Sequence, residues 1–360
     1  MKKLQSISLI LIFFSVMPLL SQTEDQDKLQ SFSKYDFVPG DRIILFEDFS
    51  SDAVGDFPAL WTTNGSGEVK TLNLYQGNWL HMLAADMRCQ LQKALSLTEN
   101  FIFEFDVVPV RQPESEEASF ELFFFWSGDD QVNDELYPGA GGFKVTCSEN
   151  AWKVVGYDVG ANNINEGSTE LAPVQNDKLN HVILWIQKRR VRIYHLGQKV
   201  VDLPTVIYPG QKLNRLQFSL QGCGAFPYIS NLRFTTAAPD TRSKLITEGK
   251  LISYGIYFDS GKDIVKPESY GALSNIAKVL NENPGVRVMI TGHTDSDGDA
   301  GANLDLSRRR AASVKNELTK AFGVEVSRME TDGKGETAPI GSNSAAEGKA
   351  QNRRVEFTKL

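Results

Sequence analysis

Surplus positive charge, cysteine and histidine are all scarce in this chain, and each scarcity removes a class of function. Against 38 Lys and Arg stand 45 Asp and Glu, a formal net charge of -7. Nucleic-acid binding needs clustered cations to neutralise phosphates, so no nucleic-acid partner is expected. The three cysteines, Cys89, Cys147 and Cys223, lie far apart. An odd number cannot all pair within one chain, and no close Cys-x-x-Cys pairs offer a zinc site. They are expected as small buried hydrophobes without chemistry, and no spacing of metal-ligand residues calls for a metal or a cofactor. Long apolar runs are missing too. Ile7–Leu20 follows Lys2 and Lys3, is interrupted by Pro18 and gives way to polar sequence at Ser21-Gln22. It is shorter than the roughly 20 apolar residues of a membrane span and is expected to be an export signal over residues 1–21. No cysteine lies near the expected cut, so a lipid-anchored form is not expected.

What is present divides by pattern. Residues 22–41 are polar and without apolar period, and are expected as a flexible leader. Residues 42–234 are a series of short apolar or alternating runs separated by Gly, Asn, Asp and Pro, the pattern of an all-β sandwich. Phe101, Phe103, Phe105 and Val107 alternate with Glu104 and Asp106, which predicts a strand with one wet face, whereas Phe120–Trp126 is nearly continuous and predicts full burial. Lys188-Arg189-Arg190 marks a turn between the strands His181–Gln187 and Val191–His195.

The runs Phe46-Glu47-Asp48-Phe49, Phe103-Glu104-Phe105-Asp106-Val107 and Ile229-Ser230-Asn231-Leu232-Arg233-Phe234 resemble those of the laminin-G-like or concanavalin-like jelly rolls. That resemblance raises a glucanase reading, which needs Glu-x-Asp-x-x-Glu along one strand. The third position is Pro109, so no enzyme is expected. Trp61, Trp79, Trp126, Trp152 and Trp185 leave carbohydrate binding open, since an exposed indole face stacks on sugar rings, although core packing is the plainer reading of each. The resemblance also leaves open a structural calcium held by Asp48 with nearby main-chain carbonyls, although a single acid is little for such a site.

Residues 235–250 are expected as a linker, and residues 251–360 as a second, α/β domain. Ile252, Tyr254, Ile256 and Phe258 alternate as in a strand. Pro267 suits a first helical turn, and Tyr270, Leu273, Ile276, Ala277 and Leu280 recur at helical spacing. Val286, Val288 and Ile290 predict a strand running into Thr291-Gly292-His293-Thr294-Asp295, and Ala311, Val314, Leu318 and Phe322 predict a second helix, capped by Asn303 or Asp305. Strands over Arg328–Thr331 and Arg353–Thr358 complete a βαβαββ order, a mixed sheet with helices on one side.

Here the resemblance is specific. Gly292-His293-Thr294-Asp295, Gly298, Asn303, Leu306-Ser307, Arg310-Ala311, Val314, Leu318, Gly335-Glu336, Pro339, Asn343 and Asn352-Arg353-Arg354-Val355-Glu356 resemble the OmpA C-terminal family position by position. Lys334 departs from it, since the family usually carries an aromatic there. The resemblance implies non-covalent binding of peptidoglycan through the diaminopimelate of the stem peptide, whose side chain ends in an ammonium and a carboxylate. It implies Asp295 for the ammonium and Arg310 for the carboxylate, whose planar fork a Lys cannot reproduce. Thr294 and Asn303 add neutral hydrogen bonds, and Arg353 and Arg354 complete the rim. His293, with no nucleophile or metal spacing beside it, is expected to pack or to fix the loop. The expectation is a sandwich module anchored to the wall in the periplasm, next to the outer membrane, with a carbohydrate or an outer-membrane protein as a further partner. The competing arrangements are an outer-membrane barrel over residues 42–234 and a wall-tethered hydrolase.

Overall fold

The computed structural model describes residues 37–40, 42–162, 164–237 and 243–360. The expected signal and all but the end of the expected leader lie outside the described residues. In chain order the first strands are β1 (Ile43–Glu47), β2 (Trp61–Thr63), β3 (Gly67–Thr71), β4 (Asn78–Met82), β5 (Arg88–Leu91), β6 (Asn100–Val108), β7 (Ser119–Phe125) and β8 (Gly142–Ser148). They continue with β9 (Trp152–Tyr157), β10 (Ile164–Thr169), β11 (Asn180–Gln187), β12 (Arg190–His195), β13 (Gln198–Leu203), β14 (Arg215–Ser219) and β15 (Tyr228–Thr236). One sheet has the order β13-β12-β11-β6-β15-β4-β3, with β1 paired to β15; the other has the order β10-β9-β8-β7-β14-β5-β2.

The alternating aromatics explain why these two sheets stack. Phe101, Phe103 and Phe105 of β6 meet Phe120 and Phe124 of β7 and Phe234 of β15 in one continuous core, where Phe103 and Phe234 stack at 4.5 Å between ring centroids. Burial of such side chains gives about 1.5–3 kcal/mol each, more than enough to order short strands of weak individual propensity. Each sheet ends in two edge strands, so a closed barrel is not what these residues form. Trp61, Trp79, Trp152 and Trp185 are buried, and only Trp126, at 42% exposure, offers its indole to solvent. Cys89 and Cys147 are buried, Cys223 is half-buried, and all three thiols are free.

The second part comprises β16 (Lys250–Ser253), α1 (Tyr270–Glu282), β17 (Val288–His293), α2 (Ala300–Phe322), β18 (Met329–Gly335), α3 (Ala346–Asn352) and β19 (Val355–Lys359). Its sheet order is β16-β19-β17-β18, with β17 and β18 parallel and the other pairs antiparallel. Three local expectations are corrected. The alternating stretch Ile252–Phe258 leaves the ladder after Ser253, and only Phe258 pairs again, in a bridge to Val265. The short helix α3 was not expected. Helix α2 begins before Asn303: Asp299, in extended conformation, caps it by accepting from the Ala302 amide at 2.8 Å. The buried stripe of α2 is Asn303, Ser307, Ala311, Val314 and Leu318, and Gly292 lets β17 approach it so closely that an added Cβ would sit 2.2 Å from the Ser307 carbonyl oxygen.

The described residues from Phe37 to Leu360 form one compact unit. The outward face of the first sheet is therefore not wet, as the Glu104 and Asp106 alternation had suggested. Glu104 is 1% exposed, and Ile102, Ile183, Trp185 and Tyr194 on the same face pack with Phe37 and Ala237. Phe37 and Pro39, at the end of the expected leader, also abut the second part. A Cβ on Gly255 would collide with the Pro39 ring, and one on Gly271 with the Phe37 carbonyl.

Candidate functional site

The sequence-predicted residues meet at one cleft of about 780 Å³. The loop after β17 starts with Thr294, whose amide donates to the Gly335 carbonyl at 3.0 Å and whose buried hydroxyl has no hydrogen-bond partner among the described residues. Asp295 is 8% exposed. Its Oδ1 accepts from the Asp297 amide at 3.1 Å, and its Oδ2 accepts from Arg353 Nη1 at 2.7 Å. Asn303, one turn into α2, staples the loop from below: its Nδ2 donates to the Asp297 carbonyl at 3.1 Å and to Glu336 Oε2 at 2.8 Å. A Lys349–Asp297 ion pair at 2.8 Å ties the loop's outer side to α3.

Arg310 stands on α2 across the cleft and is held rather than free. Its Nε donates to the Lys262 carbonyl at 2.9 Å and its Nη2 to the Asp259 carbonyl at 3.2 Å, while its guanidinium lies 4.8 Å from the centre of the Phe258 ring. Burial pulls its pKa down to about 10, against the pull of Asp295, so it stays charged at neutral pH. Nη1 has no hydrogen-bond partner among the described residues. The Phe258 ring and the turn that follows it at residues 259–262 thus brace Arg310, a role no periodicity signals.

Arg353 and Arg354 diverge. Arg353 reaches Asp295, with its guanidinium 5.2 Å from the centre of the Phe46 ring on β1. Arg354 is 5% exposed, and its donors go to Glu356 at 2.9 Å and to the Asn352 and Ala338 carbonyls at 3.3 and 3.0 Å. His293 is buried with Nε2 3.7 Å from Glu356 Oε2, beyond hydrogen-bond range. Lys334 pairs with Asp332 at 2.8 Å and does not line the cleft.

The opposite wall comes from the sandwich, and sequence reasoning missed it. Glu104 takes Arg233 Nη2 at 2.9 Å on both oxygens and the Tyr257 hydroxyl at 2.6 Å, and Arg233 also donates to the Tyr254 carbonyl at 3.0 Å. His181 lies between two acids, with Nδ1 2.7 Å from Asp106 and Nε2 3.4 Å from Glu104. Burial opposes every charge here, yet the partners outweigh it. Arg233, His181 and Tyr257 hold the Glu104 carboxyl down to about 2, and the hydrogen bond to Asp106 with the nearby charge of Glu104 pushes His181 up to about 9. Asn231 joins the cluster through Asp106 at 2.8 Å, from a left-handed backbone (φ 52°) at a bulge in β15.

Residues 257–353 match the model of the OmpA family. Over 103 residues the chain is 48% identical to the probable lipoprotein YiaD of Escherichia coli (strain K12), covering 29% of this chain and 47% of the relative. Over 140 residues it is 43% identical to the peptidoglycan-binding protein ArfA of Mycobacterium tuberculosis (strain CDC 1551 / Oshkosh), covering 36% of this chain and 41% of that protein. The chain thus spans less than half the length of these relatives. Among solved structures, a carbohydrate-binding module, CBM66 from Bacillus subtilis, is 15% identical with a TM-score of 0.34, covering 49% of this chain and 96% of that one.

Proposed function

From the OmpA family domain at residues 257–353, we propose that this chain binds peptidoglycan without covalent attachment and so holds its β-sandwich, residues 42–234, at the cell wall next to the outer membrane. The ligand is the free end of a diaminopimelate side chain. Its ammonium goes to Asp295 and its carboxylate to Arg310, with the Thr294 hydroxyl and Asn303 adding neutral hydrogen bonds. Arg353 closes the rim. Arg354 acts from behind, holding the strand end through Glu356. The observation that carries this reading is the pairing, across one cleft, of a carboxylate on a stapled loop with a guanidinium braced by two main-chain carbonyls. Such a fork is preorganised, so little side-chain entropy is lost on binding, and each charge-assisted contact contributes about 1.5–3 kcal/mol.

Binding rather than turnover is the chemistry assigned. Glu104, the first carboxylate of the Glu-x-Asp-x-x-Glu spacing, is buried and paired with Arg233 and the Tyr257 hydroxyl, and the third position is Pro109, which has no proton to give a leaving group. The test is co-sedimentation with purified diaminopimelate-type peptidoglycan. The wild type should pellet, whereas Asp295→Ala and Arg310→Ala should each stay in solution. Equal pelleting of all three would overturn the assignment.

A further inference from the structure

We propose that the sandwich completes the ligand pocket, with Phe46 of β1 as the positioning residue for Arg353. The wall-peptide site is then built by both parts of the chain, not by the α/β part alone. The inference rests on the reading of Asp295 as the ammonium partner.

Arg353 makes two contacts with one guanidinium: Nη1 to Asp295 Oδ2 at 2.7 Å, and the face of Phe46 at 5.2 Å. The first contact occupies an oxygen that an incoming ammonium must take or share. Arg353 then needs a second resting place within reach of the ligand's carboxylate. Its side chain is 36% exposed, so without a stop it swings into solvent and takes its charge with it. An aromatic face supplies that stop, since a cation over a ring is attracted without being locked by directed hydrogen bonds.

Phe46 can do this because its strand is held in the β1–β15 ladder. In the β1–β15 ladder it lies opposite Arg233, whose guanidinium is clamped to Glu104 within the sandwich and to the Tyr254 carbonyl of the α/β part. Arg353 directly follows α3, where its amide donates to the Lys349 carbonyl at 3.0 Å. The ion cluster around Glu104 thus sets the distance between the ring and the cation.

The experiment measures binding of a soluble diaminopimelate-containing tripeptide to the full chain by titration calorimetry. Phe46→Ala and Phe46→Leu should each weaken binding about fivefold, and Phe46→Trp should restore it, with all three keeping the wild-type melting temperature to within a few degrees. Leucine keeps apolar bulk without the π face, so wild-type affinity in Phe46→Leu would overturn the proposal. Asp295→Ala separates the two levels. If it abolishes binding while Phe46→Ala binds as wild type, the composite pocket falls and the wall-binding reading stands. If Asp295→Ala binds as wild type, both fall.

Discussion

At the scale of single residues, the buried charges between the two parts of the chain decide the pH range of stability. His181 has a folded pKa of about 9, above its ordinary value of 6.5. Its contribution is therefore fully present below about pH 6.5 and is lost as pH rises through 9. Glu104, depressed to about 2, contributes above about pH 4.5 and loses that contribution as pH falls toward 2. Denaturant titrations across pH 6.5–9.5 should show the wild type losing about 2–3 kcal/mol more than His181→Gln. The comparison cancels Glu47, whose carboxyl burial pushes up to about 7 and which titrates nearby in both proteins. Parallel pH curves for the two proteins would contradict the coupling of His181 to Asp106 and Glu104.

At the scale of elements, the site depends on how closely β17 lies on α2. Gly292 and Gly333 both face Ser307, and Ser307 Oγ accepts from the Gly335 amide at 2.9 Å, so one small polar residue on α2 carries two strands. Gly292→Ala would place a methyl 2.2 Å from the Ser307 carbonyl oxygen, where only main chain can yield. Stability should fall by at least about 2 kcal/mol in thermal or urea unfolding, and wall binding should weaken with it because the loop carrying Asp295 begins two residues later. An unchanged melting temperature would mean the strand and helix are not in such contact. Gly323 ends α2 in the left-handed region (φ 68°), where its amide caps the last turn on the Leu318 and Thr319 carbonyls.

At the scale of the whole molecule, the central question is whether the two parts are cooperative. The Arg233–Glu104–Tyr257 cluster, with Phe37 packed against the sandwich and the main chain at Gly271, joins them over a face that neither would expose safely alone. Calorimetry of the wild type should show a single unfolding transition. Arg233→Ala leaves Glu104 buried with only the Tyr257 hydroxyl and His181 beside it, which costs about 3–5 kcal/mol, and should split the transition in two. Two transitions already present in the wild type would mean that the parts unfold independently.

What the sequence alone determined was everything that repeats locally or stands in an ordered motif. The Phe101–Val107 alternation produced a strand because every second side chain enters the same core, and the Tyr270–Leu280 spacing produced a helix for the corresponding reason. The OmpA-type motif from Gly292 to Glu356 contained the cleft-lining Asp295, Asn303, Arg310 and Arg353 because a loop, its helix and its closing strand follow one another in fixed order. Three features were decided only by tertiary structure. Glu104 and Asp106 read as a wet face because a strand records which side a residue is on, not what covers that side. Helix α3 spans only Ala346–Asn352, too short to show a period or to pass the cost of nucleation without help. Asn352 provides that help by accepting the Ile340 amide at 2.8 Å and donating to the Gly341 carbonyl at 2.9 Å. Phe46 and Arg353 lie 307 positions apart in the chain, and no local pattern can register a ring and a cation that meet only when the two parts close on one cleft.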